Sequence, residues 1–154
     1  MSLDKLDLRI LSIYQHDTRT PAEDIGGQVG LSTAAVQRRL KRMREEGVIV
    51  AETAQLDARR LGLGLTAIVN VDLVDESARA LQLFRDKVIA RGDVQQCYGV
   101  TGAADYVLVV IVADMAAYEA FCEDCLLHDT NVRSFNTQVV LESAKRSSTL
   151  GIPL

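Results

Sequence analysis

The densest group of ionisable side chains lies between Arg38 and Arg44, where five of seven residues are arginine or lysine. The whole chain carries a formal net charge of -4, so this positive charge is a local feature. Cations that are clustered on one element are suited to the phosphates of nucleic acid. A solvated basic helix face is the common alternative, and the surrounding elements must decide between the two.

Helical periodicity divides this segment into two faces. Val36, Leu40 and Met43 form an apolar stripe that would hold the helix to its domain. A helix in the DNA major groove turns its N-terminal residues toward the base edges, where Gln37 can pair with adenine and Arg38 with guanine. Small residues before them allow close approach, and the later cations suit phosphates. The predicted DNA-binding residues are Ser32, Thr33, Ala34, Gln37, Arg38, Arg39, Lys41 and Arg42.

The elements around the basic segment favour DNA binding. Apolar spacing and capping residues predict helices near residues 3–14, 20–30 and 32–47, with a short glycine-containing turn between the second and the third. The β-prone stretch VIVAETAQL, residues 48–56, then predicts a β-ribbon. This order is the layout of a winged helix-turn-helix, in which the third helix reads DNA.

Two glycines, Gly26 and Gly27, lie inside the second predicted helix. Each costs about 1 kcal/mol of helix stability relative to alanine. A close contact between helices would explain such residues, and a simply weak helix is the alternative.

The second half of the chain has a different pattern. Beyond a glycine-containing boundary at residues 58–64, the predicted elements are a strand, a helix, two strands, a helix and a last strand. This βαββαβ order indicates a ferredoxin-like sandwich. The predicted fold class is therefore α+β, with an N-terminal winged helix-turn-helix over residues 1–57, a linker over 58–64, and the ferredoxin-like domain over 65–154.

Composition and charge support two parts with different partners. Residues 1–60 have a net charge of +1 and residues 61–154 a net charge of -5, so the second half would repel nucleic acid. A hydrophobic fraction of 48% and a charged fraction of 25% are typical of a soluble globular protein. We expect no membrane span and no secretory signal. Three cysteines do not indicate a disulfide framework, which favours a reducing cytoplasm.

Several blocks of the sequence resemble the Lrp/AsnC (feast/famine) transcriptional regulators. The blocks are LDKLD with Ile10 and Leu11, then Arg19, then GLSTAAVQRRLKRMREEGVI, and finally VTGAADYVLVV in the second half. The resemblance covers essentially the whole chain. It implies a DNA-binding winged helix joined to a ligand-sensing and oligomerisation domain. It also implies homodimers that assemble further to octamers and bind an amino acid or related metabolite between subunits, which changes assembly or half-site geometry.

The loop GVTGAAD, from Gly99 to Asp105, is the candidate effector site. Gly102 would let a backbone N–H approach a carboxylate, and Asp105 could accept a hydrogen bond from an ammonium group. An ordinary hairpin turn is the alternative, and the resemblance favours the site. Ala104 stands where many family members carry a bulky residue, which would enlarge the pocket or remove a contact. With the last strand added by resemblance, the predicted effector-binding residues are Val100, Thr101, Gly102, Ala104, Asp105, Thr137, Gln138, Val139 and Val140.

Other chemistries have weaker support. Cys122 and Cys125 have the CxxC spacing of metal and redox sites, but on a helix both lie on the apolar face and would pack in the core. No motif of a hydrolase, metalloprotease or phosphate-binding loop is present, so we expect no enzyme, no metal and no cofactor apart from a small-molecule effector. The predicted partners are double-stranded DNA, further copies of the chain and the effector. The alternatives are an architectural DNA-binding protein without effector and a metal or thiol sensor.

Overall fold

A computed structural model describes residues 2–154. Contacts divide them into two compact units, the first formed by the chain up to Gln55 together with Lys145–Leu154, and the second by Leu56–Ala144. The elements are α1 (Lys5–Tyr14), α2 (Ala22–Val29), α3 (Thr33–Glu45), a 3-10 turn (Arg59–Leu61), β1 (Leu65–Leu73), α4 (Ala78–Ile89), β2 (Val94–Gly99), β3 (Tyr106–Val112), α5 (Met115–Cys122) continued by a π-helical turn (Glu123–Leu127), and β4 (Val132–Val139).

The first unit is a three-helix domain built on one apolar core. Ile10 of α1, Ile25 of α2, and Val36 and Met43 of α3 are completely buried in a single cluster. Asp4 caps α1, and its carboxylate accepts a hydrogen bond from Asp7 N at 2.8 Å. The core therefore joins the faces that helical periodicity predicts.

The turn between α2 and α3 is very tight. Gly30 ends α2 with a φ of 75°, and Ser32 caps α3. A Cβ atom on Gly26 would lie 2.5 Å from the carbonyl oxygen of Leu31, whereas nothing lies within 4 Å of the same position on Gly27. Close packing therefore explains Gly26, and Gly27 has no such contact.

The predicted β-ribbon after α3 is wrong. Among the described residues, the stretch 48–56 contains no strand. A β-prone sequence becomes a strand only where a partner strand satisfies its backbone groups. Within residues 2–154, the first unit contains no strand that could pair with residues 48–56. Side chains hold the segment instead, because Glu52 accepts hydrogen bonds from Tyr14 and Arg44.

The second unit is the ferredoxin-like sandwich that the element order predicts. Its four strands form one antiparallel sheet in the order β2-β3-β1-β4. Both helices cover one face of this sheet, where the alternate β1 residues Ala67, Val69, Val71 and Leu73 are completely buried. The intervening β1 residues lie on the opposite face, which is half-buried and which neither helix of this unit covers.

The C-terminal segment Lys145–Leu154 belongs to the first unit. Gln15 Nε2 donates to Leu150 O at 3.0 Å, and Leu150 N donates to Gln15 Oε1 at 2.9 Å. The division differs here from the predicted bounds of 65–154, because these two hydrogen bonds tie the end of the chain to the end of α1.

Candidate DNA-binding helix and effector pocket

Helix α3 presents one polar face outward. Ser32 begins the helix by accepting a hydrogen bond from Ala35 N on its Oγ at 3.3 Å. Val36, Leu40 and Met43 fix the opposite face in the core. The exposed face carries Thr33, Ala34, Gln37, Arg38 and Lys41.

Two of the five cations hold α3 against α1. Arg39 Nη1 lies 2.8 Å from Asp7 Oδ1 and 2.7 Å from Asp4 Oδ2, and Arg42 Nη2 lies 2.6 Å from Asp7 Oδ2. The Asp7 side chain is only 1% exposed, so its charge is balanced by the two guanidinium groups. The hydrogen bond from Arg39 holds the pKa of Asp4 below its usual value.

Arg44 is a third engaged cation. Its Nη2 donates to Glu52 Oε1 at 2.9 Å and to the Tyr14 hydroxyl at 2.7 Å, and its guanidinium carbon lies 5.6 Å from the centre of the Tyr14 ring. The hydrogen bond from Arg44 is the main reason why the pKa of Glu52 is lowered. Arg44 therefore fixes the segment that follows α3.

Arg38 and Lys41 remain available on the exposed face. Within residues 2–154, Arg38 makes no ion pair, and Lys41 approaches only Glu45, at 3.8 Å, with 76% of its side chain exposed. Sequence reasoning treated all the later cations alike, because the acidic partners in α1 lie more than 30 positions away. The predicted DNA-binding set stays a prediction, with Ser32 acting as a cap and Arg39 and Arg42 already paired.

The predicted effector loop joins β2 to β3. Val100 N donates to Asp105 O at 3.0 Å, and Gly102 adopts a φ of 115°, a conformation that favours glycine. In the described chain, the N–H groups of residues 101–104 form no hydrogen bond with protein. A run of free N–H groups can bind an anion such as a carboxylate.

Asp105 is engaged within the fold. Its Oδ2 accepts a hydrogen bond from Leu73 N at 2.7 Å, and its own N–H donates to Val71 O at 2.9 Å. Both bonds tie the loop to β1. The carboxylate that the sequence assigns to an ammonium group thus already has a backbone partner.

A pocket of about 520 Å³ lies beside this loop on the uncovered face of the sheet. Its size is in the range of small-molecule sites. The lining residues are Asn70, Asp72, Val100, Thr101, Ala103, Ala104, Val107, Ser134, Phe135 and Asn136. Of the predicted effector residues, Val100, Thr101 and Ala104 line it.

The remaining predicted effector residues lie outside this lining. They are Gly102, Asp105, Thr137, Gln138, Val139 and Val140. Thr137 pairs with Val69 on the helix-covered face and hydrogen-bonds the Tyr118 hydroxyl. Sequence reasoning missed the β1 contribution, although the polar residues Asn70 and Asp72 alternate with buried valines and so indicate the uncovered face.

The cysteines pack in the core of the second unit. Cys122 and Cys125 are buried beside Tyr118 and Phe121. Burial raises the pKa of both thiols. Across residues 2–154, no group of three His, Cys, Asp or Glu side chains could hold a metal ion. No helix in this range is long and apolar enough to cross a membrane.

Comparison with known proteins places both units in one family. Residues 3–44 match the AsnC-type helix-turn-helix domain, and residues 66–150 match the Lrp/AsnC ligand binding domain. The Bkd operon transcriptional regulator of Pseudomonas aeruginosa is 35% identical, covering 92% of each chain. The leucine-responsive regulatory protein of Haemophilus influenzae is 33% identical over 97% of this chain and 90% of its own.

Solved structures agree with these matches. A transcriptional regulator of Neisseria meningitidis, determined as its L-Met complex, has a TM-score of 0.89 and 30% identity over 97% of this chain and 96% of its own. AsnC of E. coli, at 20% identity and a TM-score of 0.86 over 97% of this chain and 99% of its own, shows the shared fold. The predicted family is confirmed, and so is the predicted α+β fold class of a helix-turn-helix followed by a ferredoxin-like domain, apart from the ribbon after α3. The curated relatives regulate transcription and are not enzymes, as expected.

Proposed function

The chain belongs to the Lrp/AsnC family of transcriptional regulators. We propose that α3 recognises a specific double-stranded DNA sequence. We also propose that an amino acid controls either this DNA binding or the assembly of the protein into oligomers. The observation that carries the DNA part is the exposed face of α3. Small residues precede Gln37 and Arg38 there, and Arg38 and Lys41 have no competing hydrogen bond among the described residues.

Each exposed group has its own role. Arg38 donates two hydrogen bonds to guanine, Gln37 pairs with adenine, and Lys41 contacts a phosphate. Arg39 and Arg42 act indirectly, because their pairing with Asp7 sets the position of α3 on α1. Fewer cations are therefore available to contact DNA than the five that lie between Arg38 and Arg44.

The chain acts as a homodimer that assembles further, and it works in the cytoplasm. The uncovered sheet face supports self-association, because half-buried apolar residues such as Ile68, Val107 and Val109 lie on it. Two copies would present two α3 helices to half-sites about 34–36 Å apart, or a multiple of that spacing. An octamer of four such dimers is the assembly that the family resemblance implies.

The effector binds in the second unit. The match to a ligand-binding domain, the L-Met complex of the Neisseria relative and the free N–H groups of residues 101–104 support this assignment. Val100, Thr101 and Ala104 contact the effector from the loop. The predicted contacts of residues 137–140 would form in the assembled protein.

Selection of binding sites from random DNA tests the function. Wild-type protein should enrich one sequence, Arg38→Ala should lose preference at one base position, and Lys41→Ala should weaken binding to all sequences and reduce the salt slope by about one unit. If no sequence is enriched, the proposed regulator is refuted. If sequence-specific binding persists but no amino acid changes it, the effector part fails and a protein without effector remains.

A further inference from the structure

Polar residues outside the loop, including Asn70, Asp72 and Asn136, also line the pocket. We propose that Asp72 binds the ammonium group of an α-amino acid, and that Asn70 and Asn136 select an amino acid whose side chain forms hydrogen bonds. This inference rests on the proposed effector function. It places the acidic contact on β1 and not at Asp105, whose Oδ2 already accepts a hydrogen bond from Leu73 N.

Among the described residues, Asp72 is the only ionisable side chain that lines the pocket. It lies on the uncovered face of the sheet, directly opposite Ser134 in the register of β1 and β4. Its side chain is 28% exposed, and its one ion pair, to Arg133 Nη1, is long at 3.3 Å. The other carboxylate oxygen makes no hydrogen bond in the described structure, so it can accept one from an ammonium group.

The carboxylate of the amino acid would bind to the loop of residues 101–104. The N–H groups of residues 101–104 are free, and Thr101, Ala103 and Ala104 line the same pocket as Asp72. No lysine or arginine of residues 2–154 lines this pocket. A ligand with a carboxylate and no ammonium would be repelled by Asp72, whereas an amino acid gives Asp72 a second cationic partner beside Arg133 and gives the free N–H groups a carboxylate.

Two carboxamides lie further from the loop on the same face, two residues beyond Asp72 along β1, where the side chain of a bound amino acid would reach. Asn70 and Asn136 are direct partners across β1 and β4, so their side chains are neighbours on the uncovered face, and Val107 flanks them on β3. Neither carboxamide makes a hydrogen bond within residues 2–154. Each can both donate and accept, which complements the carboxamide of asparagine or glutamine. A leucine side chain would cover them without replacing their bonds to water, and such a site discriminates strongly.

Isothermal titration of the purified full-length protein tests these assignments. The ligands are L-asparagine, L-glutamine, L-leucine and succinamic acid, which is asparagine without its amino group. We expect wild type to bind asparagine or glutamine at least about tenfold more tightly than leucine, and not to bind succinamic acid. Asp72→Asn should weaken asparagine binding about tenfold or more and remove the discrimination against succinamic acid.

Two control variants separate the acidic contact from folding. Arg133→Gln removes the cation that competes for Asp72 and should bind asparagine at least as tightly as wild type. Asp105→Asn should lower thermal stability but keep the discrimination against succinamic acid. Asn70→Leu with Asn136→Leu should shift preference toward leucine.

The outcomes are distinct. If wild type binds an amino acid and Asp72→Asn binds it equally well with unchanged discrimination, the role of Asp72 is refuted and the effector function stands. Tighter binding of leucine than of asparagine and glutamine by wild type refutes the role of the two asparagines. If wild type binds none of the three amino acids, the inference fails.

Discussion

Replacing Gly26 by alanine tests the packing of the helix-turn-helix most directly. The new Cβ would lie 2.5 Å from the carbonyl oxygen of Leu31. This oxygen belongs to the backbone, so it cannot rotate away as a side chain could. The turn must move by several tenths of an ångström, which strains the hydrogen bonds from Gly30 N and Leu31 N to Gly26 O, at 2.8 and 2.9 Å.

The expected free-energy change combines two opposing effects. Alanine in place of glycine stabilises a helix by about 1 kcal/mol, and overpacking at a tight contact costs about 1–3 kcal/mol. Gly26→Ala should therefore lower the free energy of unfolding by about 1–2 kcal/mol once the strained hydrogen bonds are included. Gly27→Ala meets nothing within 4 Å and should raise it by about 0.5–1 kcal/mol.

Urea unfolding followed by far-ultraviolet circular dichroism measures both variants against wild type. The two substitutions are chemically identical and adjacent, so their difference of about 1.5–3 kcal/mol isolates the contact with Leu31. DNA affinity should fall for Gly26→Ala alone, because the turn positions α3. If Gly26→Ala is as stable as Gly27→Ala and binds DNA normally, the close packing of this turn is not as described.

Three further predictions concern charges and thiols. Asp7→Asn should destabilise the first unit by about 2–3 kcal/mol in the same urea assay, because Arg42 loses its counter-ion and Arg39 keeps only the more exposed Asp4. Arg44 lowers the folded pKa of Glu52, so the stability from this pair should be present above the unfolded value of 4.5 and be lost as pH falls through the folded pKa. Thermal unfolding across pH should show this loss in wild type and not in Glu52→Gln. Cys122 and Cys125 should react slowly with a thiol reagent in the native protein at neutral pH, because burial raises the pKa of both thiols.

Matched controls make these results decisive. Asp4→Asn keeps a capping side chain, so it should be far less damaging than Asp7→Asn, and equal losses would contradict the importance of burial. Glu46→Gln, at an exposed position, should keep the acid sensitivity of wild type. A Cys122→Ser/Cys125→Ser protein should respond to zinc and oxidant as wild type does, and any lost response would support a sensor.

The sequence predicted the features that depend on local spacing. Apolar periodicity located α3 and identified Val36, Leu40 and Met43 as its inner face, and the element order predicted the ferredoxin-like unit. The prediction of a β-ribbon over residues 48–56 was wrong, because β-propensity does not say whether a partner strand exists.

The candidate sites depended on contacts between distant residues. Arg39 and Arg42 meet Asp7 across 32 and 35 positions, which no helical wheel of α3 can show. In the pocket, Asn70 and Asn136 become neighbours only through the register of β1 and β4. Only the loop part of that pocket, which is contiguous in sequence, was predictable.

The pairing of Gln15 with Leu150 also affects the order in which the chain can fold. These residues are 135 positions apart, so the ribosome makes Leu150 long after α1 has emerged. The contacts of Asp7 in α1 with α3 span 32 and 35 positions, far fewer than 135, so the three helices can assemble during synthesis. The hydrogen bonds at Leu150 must wait until the entire second unit has been translated. The unit that is synthesised first is therefore the one that is completed last.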